Sequence, residues 1–320
     1  MKVLITGGCG FIGSQVVREF VNAGYKTVVF DSLEYSGFKQ HLNEVDCTFF
    51  QGNLKNIEDI KDVFVEHGCF DLVIHAAAES SVDKSIKGYE DFIMTNILGS
   101  ANLFQVCLQY KVPKIVNFGT DEVYGHLKRE DSSFTEDTPI NPRNIYSASK
   151  ASQLLFANAF KETFDLPVVN ICPSNCYGPR QLPEKLLPRM MYLIETEKDL
   201  PIYGTGQNIR EWLFVEDAAR AVRVVAEKGI IGETYNVGSE NEKSNLSIIS
   251  ILGGILNKSY SINFVEDRKG HDFRYSVDCS KIKKLGWEPQ VDIRTGLEKT
   301  VKWYKENWIW LEENYKAVWK

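Results

Sequence analysis

The chain is short of positive charge. Against 43 Asp and Glu it carries 37 Lys and Arg, a formal net charge of -6, and no block of basic residues stands anywhere along it. A polymer of phosphates wants a basic face, so a binder of nucleic-acid polymers is not expected. A free nucleotide is still allowed, because a pocket needs only a few local cations. Cysteine is sparse as well, with seven residues at 9, 47, 69, 107, 172, 176 and 279 and no Cys-x-x-Cys pair. An odd count without metal-ligand spacing argues against a disulfide framework and against a metal site. Reduced thiols in a cytoplasmic protein are expected instead. No apolar run reaches the roughly 18 residues of a membrane span. The opening MKVLIT reads as a strand rather than a signal peptide. Internal repeats and low-complexity tracts are missing too.

What is present is ordinary globular material. Hydrophobic residues make up 43% of 320, which at this length predicts one large domain with a smaller companion. Apolar runs stand at 2–6, 26–30, 47–51, 71–78, 114–118 and 166–171. Most are continuous rather than alternating, as strands covered on both faces should be. Helical patterns fill the gaps at about 12–23, 56–67, 90–110 and 146–164. This is βαβ repetition, so the fold class is α/β, a doubly wound parallel sheet of Rossmann type. After Pro173 the texture shifts to dense Pro and charge, short strands and long loops. Residues 1–173 are therefore assigned mainly to a cofactor domain and 174–320 mainly to a smaller α/β substrate domain. Part of 211–238 is a candidate to return to the large sheet. Near the end, Leu297, Val301, Tyr304 and Trp308 recur at helical spacing and predict a packed amphipathic helix.

The stretch GGCGFIG (7–13) follows the first strand and opens the first helix. Gly7 allows the tight turn, Gly10 lets backbone approach a pyrophosphate, and Gly13 lets the helix pack close to the sheet. The helix start at Phe11 and Ile12 then offers amide donors to phosphates. Asp31 ends the second strand, where its carboxylate can bond both hydroxyls of an adenosine ribose and would repel a 2′-phosphate, so NAD is expected rather than NADP. Asn53, at the end of the third strand, is a candidate adenine contact. Ala76, Ala77 and Ala78 close the fourth strand with side chains small enough to leave room for a flat ligand. Tyr146 and Lys150 form Y-x-x-x-K, which sets phenol and ammonium on one helix face. The ammonium is expected to lower the tyrosine pKa towards the range of a general base, and to hold the nicotinamide ribose.

With these pieces the first half resembles the extended short-chain dehydrogenase/reductase superfamily. The stretch NFGTDEVYG (117–125) narrows the likeness. Thr120 stands where that superfamily carries a hydroxyl for the reacting sugar, and Asp121 and Glu122 follow it. Thr-Asp-Glu here is similar to the nucleoside-diphosphate-glucose 4,6-dehydratases, particularly the dTDP-glucose 4,6-dehydratases. The resemblance implies oxidation at C4, loss of water across C5 and C6, and hydride return to C6. It assigns Tyr146 to the C4 hydroxyl with Thr120 assisting, Asp121 as acid at C6, and Glu122 as base at C5. Adjacent strand residues face opposite ways, so both acids meet one sugar only if the strand has already turned.

The likeness runs from Met1 to about Gly296. It places Thr95 near the cofactor and Ser80 in a segment lining the sugar. It gives Asn175 to the diphosphate or sugar and Lys185 and Leu186 to the nucleotide. Tyr203 would face the base, Arg210 the diphosphate, and Asn245 the same group, with Arg268 and His271 completing a phosphate clamp. Three positions depart from the family pattern: Ser81 for His, Cys176 for Asn and Lys269 for Pro. A homodimer is implied through the helices near 91–110 and 146–164, with Leu103, Phe104, Leu154, Leu155 and Phe156 as apolar candidates. The rival readings are a UDP-sugar 4-epimerase or decarboxylase, which would not need the two acids, and a non-catalytic NAD-binding sensor. Thymine and uracil differ by one methyl, and the sequence does not choose between dTDP-glucose and UDP-glucose.

Overall fold

A computed structural model describes every residue except Lys269 and Lys320. The Lys269 departure therefore lies outside the described residues. The strands are β1 (Lys2–Thr6), β2 (Lys26–Asp31), β3 (Thr48–Gln51), β4 (Leu72–His75), β5 (Ile115–Phe118) and β6 (Val168–Pro173), followed by β7 (Asn175–Tyr177), β8 (Leu200–Tyr203), β9 (Ile209–Phe214), β10 (Thr234–Val237), β11 (Glu242–Ser244) and β12 (Ile262–Val265). Seven of them form one sheet in the order β10-β6-β5-β4-β1-β2-β3. Every pairing in it is parallel. The continuous apolar runs are explained by this, since β1, β4, β5 and β6 are buried almost throughout between two helical layers. The strand order reverses between β1 and β4. Their carboxyl ends open a crevice there, as an open α/β sheet requires.

The chain crosses between two cores after Pro173. Strands β7, β9 and β11 make a three-stranded sheet, and β8 pairs with β12 in a two-stranded one. Tyr177, Met190, Met191, Trp212, Leu297 and Tyr304 belong to the core of this smaller body. The helix Val215–Lys228 instead buries Ala218, Ala219, Val222 and Val225 in the core of the large sheet, and β10 takes the edge beside β6. Of the segment 211–238, the helix and β10 thus pack with the large sheet while β9 stays with the small one.

Two local expectations need correction. β4 stops at His75, so Ala76, Ala77 and Ala78 lie in the loop beyond it. Leu103, Phe104 and Leu154 are buried in the chain's own core and are not free for a partner. The large apolar residues exposed on those helices are Ile93, Met94, Leu98, Ile145, Leu155, Phe156 and Phe164.

Candidate active site

The acids sit where the strand has ended. β5 stops at Phe118, and Asp121–Tyr124 form one turn of 3-10 helix. Thr120 caps that turn, its hydroxyl accepting from the Glu122 amide at 3.4 Å. A one-turn helix lets neighbours approach the same space, which the strand would forbid. The same Thr120 hydroxyl donates to Asp121 Oδ1 at 3.2 Å. Asp121 is 1% exposed, and its Oδ2 is buried without a hydrogen-bond partner among the described residues. Glu122 is half-buried and accepts from the Ser147 hydroxyl at 3.1 Å.

Their environments differ in kind. Burial pushes the Asp121 carboxyl well above the usual carboxylate range, and the charges of Glu122 and Glu211 add to the rise. Burial also raises Glu122, but the cations of Lys185 and Arg210 oppose it, as do hydrogen bonds from Ser147 and Asn144. Both carboxyls are raised, but at Asp121 the cation of Arg210 is outweighed by the charges of Glu122 and Glu211, and this unequal setting suits one acid beside one base. A stability effect follows. With its folded pKa raised, Asp121 burdens the fold once pH climbs above the ordinary carboxylate range, and not in acid. Asp121→Asn is therefore expected to raise the melting temperature at pH 7 by about 2 °C, a gain that shrinks as pH falls. Thermal unfolding of both proteins across pH checks this.

Tyr146 and Lys150 lie on the helix Ile145–Phe164, which Asn144 caps by accepting from the Ser147 amide at 2.8 Å. The expected fall in the tyrosine pKa is not observed. Burial raises the Tyr146 phenol, the charge of Glu122 raises it further, and a hydrogen bond from Thr120 pulls it back. Burial is the largest cause, and Lys150 is turned to other partners. Its ammonium donates to the Phe118 carbonyl at 2.7 Å and to Gln153 Oε1 at 2.6 Å. Burial lowers Lys150 to about 7.

Two clefts share Gln181, Glu184 and Lys185, and the second reaches this cluster at Glu122; Thr120, Asp121, Tyr146 and Lys150 line neither. The first is lined by Gly7, Gly10, Phe11, Ile12, Gly13, Asp31, Asn53, Ala77, Ala78 and Thr95. Gly7 has φ +71°, and a side chain there would press within 2.6 Å of the Ala77 backbone. One at Gly13 would run into the Gly7 carbonyl. Asp31 accepts from the Cys9 amide at 2.8 Å and the Leu33 amide at 2.9 Å, leaving lone pairs on both oxygens. Thr95 Oγ1 is buried with no partner among the described residues. A glycine cradle, a strand-end carboxylate and an orphaned hydroxyl fit a dinucleotide. Ala76 does not line this cleft. Ser80 does, which moves it from the expected sugar wall to the cofactor side.

The second cleft is lined by Glu122, Asn175, Lys185, Leu186, Tyr203, Arg210, Asn245, Arg268 and His271. Arg210 is fixed by the carbonyls of Ile209, Phe273 and Asp272, with its guanidinium 4.5 Å from the Tyr275 ring. Arg268 lies 3.1 Å from Asp83 and 4.6 Å from the ring centre of Tyr203. His271 faces Asp267 at 2.6 Å. Asn175 Oδ1 is buried without a partner among the described residues. Of the departures, Ser81 caps the helix Val82–Lys87, and Cys176 lines the cleft with its thiol 3.5 Å from the Ser174 carbonyl.

The family model described as GDP-mannose 4,6 dehydratase matches residues 4–300. The chain belongs to the nucleotide-sugar 4,6-dehydratase family. It is 41% identical to the dTDP-glucose 4,6-dehydratase of Neisseria meningitidis serogroup B, covering 97% of this chain and 94% of that one. It is 42% identical to the low-salt glycan biosynthesis protein Agl12 of Haloferax volcanii, covering 95% and 98%. Among solved structures, the dTDP-glucose 4,6-dehydratase DesIV of Streptomyces venezuelae, crystallised with NAD, superposes with a TM-score of 0.94 at 38% identity, covering 98% of this chain and all of that one. The UDP-glucose 4-epimerase of Thermus thermophilus reaches 0.90 at 27% identity, covering 95% and 99%. The backbone is thus shared with epimerases.

Some members of the site are not singled out by sequence reasoning. Gln181 and Glu184 join the expected Lys185 in lining both clefts and linking them, with the Lys185 ammonium donating to the Ser80 carbonyl at 2.8 Å. Asn96 ties Glu79 to Ser149, donating at 3.0 Å and 2.8 Å. The signal for Gln181 and Glu184 is the RQLPEK run (180–185), which holds polar side chains close beside the expected nucleotide contacts. Ser147 stands inside Tyr-Ser-Ala-Ser-Lys, where Tyr146 and Lys150 carry the recognisable spacing.

Proposed function

We propose that this dehydratase-family protein converts a nucleoside-diphosphate glucose, dTDP-glucose or UDP-glucose, into its 4-keto-6-deoxy derivative and water. The observation that carries this is the carboxyl pair, with Asp121 buried and unpaired at one oxygen and Glu122 on the wall of the second cleft. Residues Gly7, Gly10, Phe11, Ile12, Gly13, Asp31, Asn53, Ala78, Thr95 and Ser80 hold NAD in the first cleft. When bound, NAD supplies the hydride acceptor for C4 and the donor for C6.

The chain's own groups move the protons. Tyr146 takes the proton of the C4 hydroxyl, in a base form that belongs to the loaded site. Glu122, whose carboxylate charge Lys185 and Arg210 favour against the effect of burial, takes the C5 proton that the 4-keto group has made acidic. Asp121, kept protonated, gives its proton to the C6 oxygen as water leaves. The Glu122 carboxyl exchanges its proton with solvent and then returns one to C5. The cycle closes when the proton on Tyr146 passes to Asp121, and Thr120 is placed to carry it. Its hydroxyl donates to Asp121 Oδ1 at 3.2 Å, and it stands close enough to Tyr146 to lower that phenol's pKa. Arg210, Arg268, His271 and Lys185 supply the positive charge for the diphosphate, Arg210 with its fork already oriented. Tyr203, Leu186, Asn175 and Asn245 complete that wall.

A homodimer is the assembly supported by the apolar surface of Ile93, Met94, Leu98, Leu155 and Phe156 on neighbouring helices, 41–54% exposed. Seven free cysteines support a reducing, cytoplasmic setting. No helix of the described residues is long and apolar enough to cross a membrane.

Assays of the purified protein with dTDP-glucose and with UDP-glucose test the reading. A 4-keto-6-deoxy product from one or both is expected. A 4-epimer that keeps its C6 oxygen would replace it with the epimerase reading.

A further inference from the structure

Lys150 is 3% exposed and makes no ion pair among the described residues. An ammonium only donates. Gln153 must therefore turn its oxygen to Lys150, and its nitrogen then donates to Asn117 Oδ1 at 2.5 Å. Asn117 is left with donors to give, and it gives to Asn170 Oδ1 at 2.8 Å. Asn170 in turn donates to Asn158 Oδ1 at 3.0 Å. Gln153, Asn117 and Asn170 are each 0% exposed, while Asn158 stands at the surface. Asn117 and Asn170 are register partners on β5 and β6. The result is a run of amides from solvent to the lysine, every one pointing its oxygen end towards the ammonium.

Such a run is out of keeping with its setting. β5 and β6 are otherwise apolar around these positions. An apolar trio would fill the same space without the desolvation cost of three buried amides. Aligned amides polarise one another and favour positive charge at the oxygen end. We propose that Gln153, Asn117 and Asn170 form a polarised amide chain that positions Lys150 and sustains its charge. Lys150 keeps its third proton for the phenol or a cofactor hydroxyl. This rests on the dehydratase reading and on Lys150 serving Tyr146 and the nicotinamide ribose, as the family resemblance implies. The titratable groups facing the ammonium are Cys172 on β6 and His75 on β4, both kept neutral by burial, and Asp121 and Glu122 stand on the neighbouring turn. None of these is bonded to Nζ, so the amide chain and the Phe118 carbonyl are its polar support.

The test is side-chain NMR of isotope-labelled lysine in the NAD-loaded protein, with the Lys150 signal assigned by its loss in Lys150→Arg. Gln153→Met is expected to lower the Lys150 titration midpoint by about one pH unit. Gln153→Glu is expected to raise it by about as much, because Asn117 can reverse and the surface Asn158 can follow. The pH profile of kcat should move in the same two directions while KM for the sugar nucleotide holds. A merely structural role would lower the melting temperature of both variants and leave the midpoint in place, which overturns the proposal. If Gln153→Met does not fold, Gln153→Glu decides alone on the same criterion. Absence of turnover in the unmutated holoenzyme would instead count against the dehydratase reading, since the lysine titration is read without substrate.

Discussion

Glu122→Gln is expected to lower kcat about 10³-fold, the usual worth of a positioned general base, while NAD affinity stays within about twofold. The side chain keeps its volume and can still accept from Ser147, so the turn at Asp121–Tyr124 is preserved. What disappears is the charge that Lys185 and Arg210 sustain. Oxidation at C4 does not require that charge. Reduced nicotinamide should therefore accumulate on mixing with substrate, and the C5 hydrogen should exchange with deuterated solvent far more slowly than in the unmutated protein. Stopped-flow absorbance and NMR of recovered sugar measure the two effects. Unchanged C5 exchange would remove Glu122 from the role of base.

Tyr146→Phe has an effect of similar size and a different signature. Removing the phenol leaves the C4 hydroxyl without a base, so kcat is expected to fall by about 10³-fold or more. Here no reduced nicotinamide should appear, because the block comes before the first transfer. The ring remains to fill its place, and the Thr120 hydroxyl keeps its bond to Asp121 at 3.2 Å. KM for the sugar nucleotide should hold, since Arg210, Arg268 and His271 line the second cleft and Tyr146 does not. The two variants thus separate the oxidation step from the elimination step. A reduced-nicotinamide transient in Tyr146→Phe equal to that in the unmutated protein would contradict the assignment.

The legible parts of this protein are those that local chemistry dictates. Continuous apolar runs mark β1, β4, β5 and β6 because both their faces are covered. The glycine loop is readable because contact with the Ala77 backbone and the Gly7 carbonyl leaves no room for a side chain at Gly7 or Gly13. Thr120, Asp121 and Glu122 are readable because acids are out of place in a buried strand, and the chain does turn there. What cannot be read depends on packing between distant segments. Lys150 is expected to serve Tyr146, but Gln153 and the Phe118 carbonyl claim two of its protons, and Tyr146 rises instead of falling. Ser80 lines the first cleft, where Lys185, 105 positions away, donates to its carbonyl. Leu103, Phe104 and Leu154 read equally well as core or interface, and only the packed helices decide for core. The asparagines at 117 and 170 sit visibly inside apolar strands, and their register pairing gives them a reason.

The most direct measurement is the fate of a deuterium placed at C4 of the glucose unit. After turnover of the labelled nucleotide sugar, the label should be found on the C6 methyl group of a 4-keto product, with one solvent hydrogen at C5. Label back at C4 of a sugar that still carries its C6 oxygen would contradict elimination by Asp121 and Glu122.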